Sequence, residues 1–186
     1  MIRIGIGYDS HRFDPARPLM LGGVRVADRG GLAGHSDADV LLHALVDAVL
    51  GAMAAGDIGS HFPNTDPAWA GASSAVFAER ARRLAAARGW RIAQLDATLI
   101  AEAPRLAPWI DAMRGRVAEL FGLDPDGVGI KAKTNEKMGW IGRGEGMAAI
   151  AVANLERLSG RGAPAAAGRS PRADRRRDDS EVRPGE

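Results

Sequence analysis

The sequence predicts an α+β protein, an α/β sandwich in which a mixed sheet carries its helices on one face. Two observations lead there. Segments of period two and segments of helical period alternate along one chain, in the order β, α, α, β, α, β and a closing apolar stretch. Each helical segment also has a broad apolar face that demands a sheet or another helix against it. With the closing stretch read as extended, the sheet has four strands.

The first strand is RIGIGY, where Ile2, Ile4, Ile6 and Tyr8 point one way and Arg3, Gly5, Gly7 and Asp9 the other. That alternation reads as a half-buried strand with the isoleucines inward. VRVADRGGL follows as a short strand or loop between glycine turns. HSDADVLLHALVDAVLGAMA reads as a helix that is apolar nearly all round and therefore largely buried. Ser36 is its expected N-cap, with Asp37 and Asp39 in the first turn, where the helix dipole favours negative charge. Asp39, His43 and Asp47 recur every four residues as one polar stripe. GDIGSHFPNTDPAWAGASS has the composition of a long loop, yet it carries Phe62 and Trp69.

SSAVFAERARRLAAARG is a second helix stopped by Gly89, and LDATLIA a strand. Leu106, Trp109, Ile110, Met113, Val117, Leu120 and Phe121 form the apolar stripe of a third helix, ended by Gly122. GVGIKAK is a strand, KTNEKMGWIGRGEG a glycine-rich loop, and MAAIAVANLERL a final strand or helix.

The chain has 186 residues, enough for one domain with a real core, and no cysteine, which excludes disulfides and thiolate metal sites. Nothing approaches a membrane span, and MIRIGIGYDS lacks the layout of a signal peptide, so a cytoplasmic protein is expected. Of the 25 basic and 23 acidic residues, seven and five lie in residues 161–186, leaving 18 of each before them. A charge-neutral body gives no reason to expect nucleic acid as a partner. The domain is expected over residues 1–159. Residues 160–186, rich in Arg, Asp, Ala and Pro, have almost nothing to bury and are expected to be disordered.

Strand periodicity puts Asp9 and His11 on one side of an extended segment, where both can face a single ion. His43, on a buried helix, is a third N/O donor, and a neighbouring carboxylate could orient its ring. Three such ligands with an open fourth position suit catalytic zinc, and manganese or iron equally on donor type. The bland alternatives are a polar turn and a hydrogen-bonded core histidine. His35 precedes the expected helix start, which makes G-H-S-D either an anion site or simple capping. His61 reads as a surface residue. In the glycine-rich loop, Thr134, lysines and Arg143 suit phosphate oxygens, and Glu136 suits a hard divalent cation; a solvent-exposed turn is the other reading.

Five blocks taken together resemble one family: GYDSHRF, GHSDADVLLHAL, GDIGSHFPNTDP, IAEAPRLAPWI and KAKTNEKMGWIGRGEG, in family order from residue 2 to about 158. They resemble the 2-C-methyl-D-erythritol 2,4-cyclodiphosphate synthases of the non-mevalonate isoprenoid pathway. The resemblance implies a phosphorus–oxygen lyase that releases CMP when the 2-phosphate of its cytidine diphosphate substrate attacks the β-phosphorus, with metal assistance. It implies a homotrimer with three interfacial sites. Asp9, His11 and His43 match the zinc ligands, and Glu136 the ligand of a magnesium or manganese ion that bridges the diphosphate.

By the same resemblance His35 and Thr134 match residues of transition-state stabilisation, with Ser36 beside the first. Asp57, Gly59, Phe62, Pro63, Asn64, Thr65 and Asp66 match the loop that holds the methylerythritol part. Ala101, Pro104, Arg105, Leu106 and Ala107, with Lys133, match the cytidine pocket, and Asn135 matches a substrate-binding residue. Trp140 matches a substrate contact, and Arg143 and Glu145 lie by the trimer's central cavity, where a prenyl diphosphate could bind. Trp140, Asn64 and Lys133 depart from the family's common residues. A metal-dependent phosphohydrolase and a non-catalytic prenyl diphosphate binder are the competing readings.

Overall fold

The computed structural model describes residues 1–158, and the expected disordered tail, residues 160–186, lies outside them. The strands are β1 (Ile2–Asp14), β2 (Leu19–Leu21), β3 (Val24–Ala27), β4 (Gly31–Leu32), β5 (Trp90–Ile100), β6 (Val128–Lys133) and β7 (Gly146–Arg157). The helices are α1 (Val40–Ala52), α2 (Ile58–His61), α3 (Ser74–Ala87), α4 (Ile110–Phe121) and α5 (Gly139–Gly142).

The sheet is mixed, as expected, but has five strands rather than four, in the order β4-β1-β7-β5-β6. β5 and β6 are parallel, and the other pairings are antiparallel. The four long strands are those read from periodicity, with the ambiguous closing segment resolved as β7 at the centre. The fifth, β4, is two residues long and pairs Phe13 with Leu32, too short to leave a periodic signal. β2 and β3 form a separate hairpin. β5 begins at Trp90, five residues before the expected start.

The expectation for β1 is inverted. Ile4 and Ile6 are each 71% exposed, and Ile2 and Tyr8 are exposed with them. The buried face belongs to Gly5 and Gly7. A Cβ at Gly5 would lie 2.0 Å from the Ala48 carbonyl oxygen, and one at Gly7 2.0 Å from that of Ala44. The strand therefore runs directly against the backbone of α1, and only glycine fits there. β7 repeats the pattern: Ala149, Ala151 and Ala153 are buried, while Ile150 and Val152 are exposed. Small residues on the helix side let α1 sit close, which leaves the large apolar residues on the other face.

α1 is apolar nearly all round, as read, with Leu41, Leu42, Leu45 and Leu50 fully buried. Each such leucine contributes about 1.5–3 kcal/mol of burial. Its start is corrected. The helix opens at Val40 and Asp39 is the N-cap, accepting from the Leu42 N–H at 3.0 Å. Asp39 also accepts from the Gly22 and Gly23 N–H groups. Ser36 is therefore not the cap, and a carboxylate already occupies the helix end where an anion was one reading. The long loop from Met53 to Ser73 holds α2 and a short 3₁₀ turn, Pro67–Trp69, and its aromatic residues pack on α3. Ser73 caps α3, and Gly89 and Gly122 stop α3 and α4 in the left-handed region. Among the described residues no helix is long and apolar enough to cross a membrane.

Candidate metal centre and active-site cleft

β1 and α1, pressed together at Gly5 and Gly7, fix the heart of the site. The same face of β1 that carries the glycines carries Asp9 and His11, and His43 stands on the turn of α1 above them. Asp9 Oδ2 lies 2.9 Å from His11 Nε2 and 3.0 Å from His43 Nδ1, and the two ring nitrogens are 3.2 Å apart. Ligand atoms of the three residues lie within 4.8 Å of one another, the one such group of three among the described residues.

The donor chemistry fits a cation. His11 Nδ1–H donates to the Ala33 carbonyl at 2.7 Å, which turns the lone pair of its Nε2 toward Asp9. A carboxylate and two imidazole nitrogens thus aim electron density at one point. Burial opposes ionisation of Asp9, but hydrogen bonds and charge from His11 and His43 outweigh it, so its carboxyl stays well below the usual range. Burial likewise lowers the pKa of His11, and the Asp9 hydrogen bond and charge more than reverse that, raising it above its ordinary 6.5. The site asks for positive charge, and in the metal-free chain a proton supplies it.

A cleft of about 490 Å³ opens over this cluster. Of the residues expected at the metal or the substrate, Asp9, His11, His35, Ser36, His43, Gly59, Phe62, Pro63 and Asn64 line it, together with Trp69 and Phe77. Phe62 stacks on Phe77 with centroids 4.5 Å apart and meets Trp69 edge-on, which makes the cleft's far wall aromatic. Asp57 caps α2 by accepting from the Ser60 N–H at 2.7 Å, and Asp66 caps the 3₁₀ turn. Thr65 and Asp66 lie in that same loop, outside the cleft's lining. His61 is not free on the surface, because its ring donates from Nε2 to the Ala55 carbonyl at 2.8 Å.

Ala101, Pro104, Arg105, Leu106, Ala107, Lys133, Thr134, Asn135, Glu136, Trp140 and Arg143 do not line this cleft within one chain. Pro104 lines a second cleft of about 450 Å³, with Phe13, Leu19 and Arg29. Thr134 donates its hydroxyl to Glu136 at 2.8 Å, which pairs the two in the loop after β6. Glu136 and Lys137 have φ of 50° and 60°, left-handed values that cost non-glycine residues about 1–2 kcal/mol each. Trp140 and Glu145 line a small pocket behind His11, and Arg143 donates to Glu145 at 2.6 Å.

Two contacts correct the sequence reading of the His43 support. Asp39 serves backbone N–H groups, and Asp47 accepts from the Ile58 N–H, so neither carboxylate touches the ring. Burial raises the pKa of both carboxyls. The ring's other nitrogen, Nε2, meets Ser74 at 2.8 Å and Ser36 at 3.2 Å. Glu102 was also missed: one of its oxygens accepts from the Asn135 and Lys137 N–H groups at 3.0 Å each, which holds the left-handed turn. Nothing in the local pattern marks Ser74 or Glu102, since each acts at a distance of more than 30 residues along the chain.

Fold and site together define a class: an α+β protein with a three-ligand centre left open on its cleft side, the arrangement of catalytic rather than structural metal sites. Within that class the chain belongs to the YgbB family, whose model matches residues 2–156. It is 56% identical over 155 residues to the 2-C-methyl-D-erythritol 2,4-cyclodiphosphate synthase of Thermosynechococcus vestitus, covering 83% of this chain and 96% of that one. The bifunctional IspDF of Campylobacter jejuni superposes with a TM-score of 0.82 at 39% identity, covering 85% of this chain and 43% of that one. The Plasmodium falciparum IspF–CDP complex superposes with a TM-score of 0.74 at 32% identity, covering 85% and 97%.

Proposed function

We propose that this chain converts 4-diphosphocytidyl-2-C-methyl-D-erythritol 2-phosphate to 2-C-methyl-D-erythritol 2,4-cyclodiphosphate, releasing CMP. The observation that carries the reading is the convergence of Asp9, His11 and His43 on one point at the floor of an open cleft. These three would hold zinc, and Glu136 a magnesium or manganese ion. When bound, the two cations supply the positive charge that two mutually repelling phosphates need in order to meet.

The residues present divide the remaining work. Substrate carries its own nucleophile, the 2-phosphate, so the chain's task is to fold it until both ends meet in line. Gly59 gives the backbone close access, and Phe62, Pro63 and Asn64 form the wall against which the methylerythritol part bends. Phe62, Trp69 and Phe77 exclude water from that wall, which disfavours hydrolysis to a linear product. His35 at the rim and the Thr134 hydroxyl bind phosphate oxygens, and Lys133 and the Ala101–Ala107 segment take the cytidine.

The cytidine segment lies off the cleft of its own chain, which supports a site completed by a second copy in a homotrimer. The exposed apolar face of β1 and β7 supports the same assembly: Ile4, Ile6, Tyr8, Ile150 and Val152 form a contiguous patch by register. The reading takes residues 1–159 as one domain, in the cytoplasm.

Supplying the cytidyl substrate to zinc-loaded protein and following the products by phosphorus NMR tests it. The cyclic diphosphate and CMP are expected, and linear phosphate products would overturn the reading in favour of a hydrolase. His43→Ala is expected to lose zinc and to slow CMP release by more than about 100-fold, more than loss of a residue behind a ligand typically costs.

A further inference from the structure

The His43 ring is held at both nitrogens, and the two sides differ in kind. Nδ1 faces the metal cluster. Nε2 faces Ser74 Oγ at 2.8 Å, and the Ser74 hydroxyl in turn contacts Asp37 Oδ1. Asp37 Oδ2 accepts from the Ser74 backbone N–H at 3.0 Å, so the carboxylate grips the serine twice. The Asp37 N–H donates to the Ala72 carbonyl at 3.0 Å, which ties this segment to the start of α3. Ser74 is fully buried.

The direction of each hydrogen follows from the groups. An ionised carboxylate only accepts. The single Ser74 hydroxyl hydrogen therefore goes to Asp37, and its oxygen is left with lone pairs toward His43. Nε2 must then carry a hydrogen, so in the metal-loaded chain the lone pair of Nδ1 is the one left for the ion; in the metal-free chain Nδ1 can carry a second hydrogen toward Asp9. Ser36 Oγ, at 3.2 Å, already accepts from the Ala38 N–H and has a free hydroxyl hydrogen, so it imposes no such direction.

The geometry points to Ser74, oriented by Asp37, as the positioning residue that fixes His43 in the tautomer with Nδ1 free to bind the metal. The inference rests on the metal reading of Asp9, His11 and His43, but it concerns residues that touch neither metal nor substrate. Asp37→Asn is the sharpest variant. The amide introduced there would keep its oxygen toward the Ser74 N–H at 3.0 Å and turn its NH₂ toward the hydroxyl, giving up the longer contact by which Oδ1 accepts from the Asp39 N–H at 3.3 Å. Ser74 would then donate to Nε2, and the hydrogen would move to Nδ1, where it blocks the metal.

Zinc affinity, measured by competition with a chelator, is expected to fall about 10–100-fold in Asp37→Asn and in Ser74→Ala. Ser73→Ala removes the neighbouring helix cap without touching His43, and its zinc affinity is expected to be unchanged. Nitrogen NMR of histidine-labelled, zinc-loaded wild-type chain is expected to show hydrogen on Nε2 of His43 and zinc on Nδ1. This last measurement needs no variant to fold. Equal zinc affinity in all four chains, or zinc on Nε2, would overturn the inference while leaving the metal site standing. Wild-type chain that takes up no zinc would remove the metal reading and the inference together.

Discussion

In the proposed metal site, His11 would couple folding to metal uptake. Asp9 holds its imidazolium more tightly in the folded chain than water does in the unfolded one. Its folded pKa lies above 6.5, so the stabilisation is fully present below 6.5 and is lost as pH rises through the folded value. Asp9, shifted the opposite way, contributes stability that disappears only in strong acid and does not confuse this window. The metal-free chain is therefore expected to melt at progressively lower temperature as pH rises from 6.5, and His11→Gln is expected to flatten that dependence. Zinc uptake must expel the same proton, so zinc affinity is expected to rise across the same window. Thermal melts with and without chelator, over a pH series, check both signs.

Single residues were legible in the sequence where their role depends on near neighbours. Asp9 and His11 sit two apart on a strand, and the strand period alone puts them on one side. Ser74 and Glu102 were not legible. Their partners lie 31 and 33 or more residues away, and a serine or a glutamate is common on any surface.

At the scale of elements, the contact of β1 with α1 sets the position of the three proposed metal ligands. Gly7 lies two residues before Asp9, and its missing Cβ brings the strand to the helix that carries His43. Gly7→Ala would drive a methyl group into the Ala44 carbonyl, and the strand must move away. The cost is expected to exceed the roughly 1–3 kcal/mol typical of overpacking, because backbone rather than a side chain blocks the way. Chemical denaturation measures it, and loss of zinc affinity is expected alongside, since the ligands part as β1 moves. The element boundaries show the same dependence. The pattern of Ser36 and Asp37 predicts an earlier start for α1 than the one at Val40. The carboxylate of Asp39 ends that ambiguity by gathering three backbone N–H groups, two of them from a distant turn.

Over the whole molecule, the apolar outer face of β1 and β7 calls for a partner, and a second copy of the chain is the one the proposed trimer supplies. Ile6→Lys puts a charge in the middle of that face. Analytical ultracentrifugation is expected to find trimer for the wild-type chain and monomer for the variant. The monomer is expected to keep its zinc, because Asp9, His11 and His43 come from one chain, and to lose CMP release, because the cytidine segment must come from another. Retained turnover in a monomer would overturn the shared-site reading.

The sequence by itself determined that the segments of β1, β5 and β6 are strands and those of α1, α3 and α4 helices, where Gly89 and Gly122 stop α3 and α4, and that Asp9 and His11 share a side. Those properties follow from backbone period and local sterics, which a short stretch of chain carries within itself. Only the tertiary structure decided which side of β1 is inside, and which groups stand behind His43. Burial belongs to whatever lies opposite a residue. RIGIGY presents isoleucines to one side and glycines to the other, and hydrophobicity alone favours burying the isoleucines. The close approach of α1, which glycine alone permits, reversed that choice, leaving the isoleucines for a partner and Asp9 and His11 facing His43.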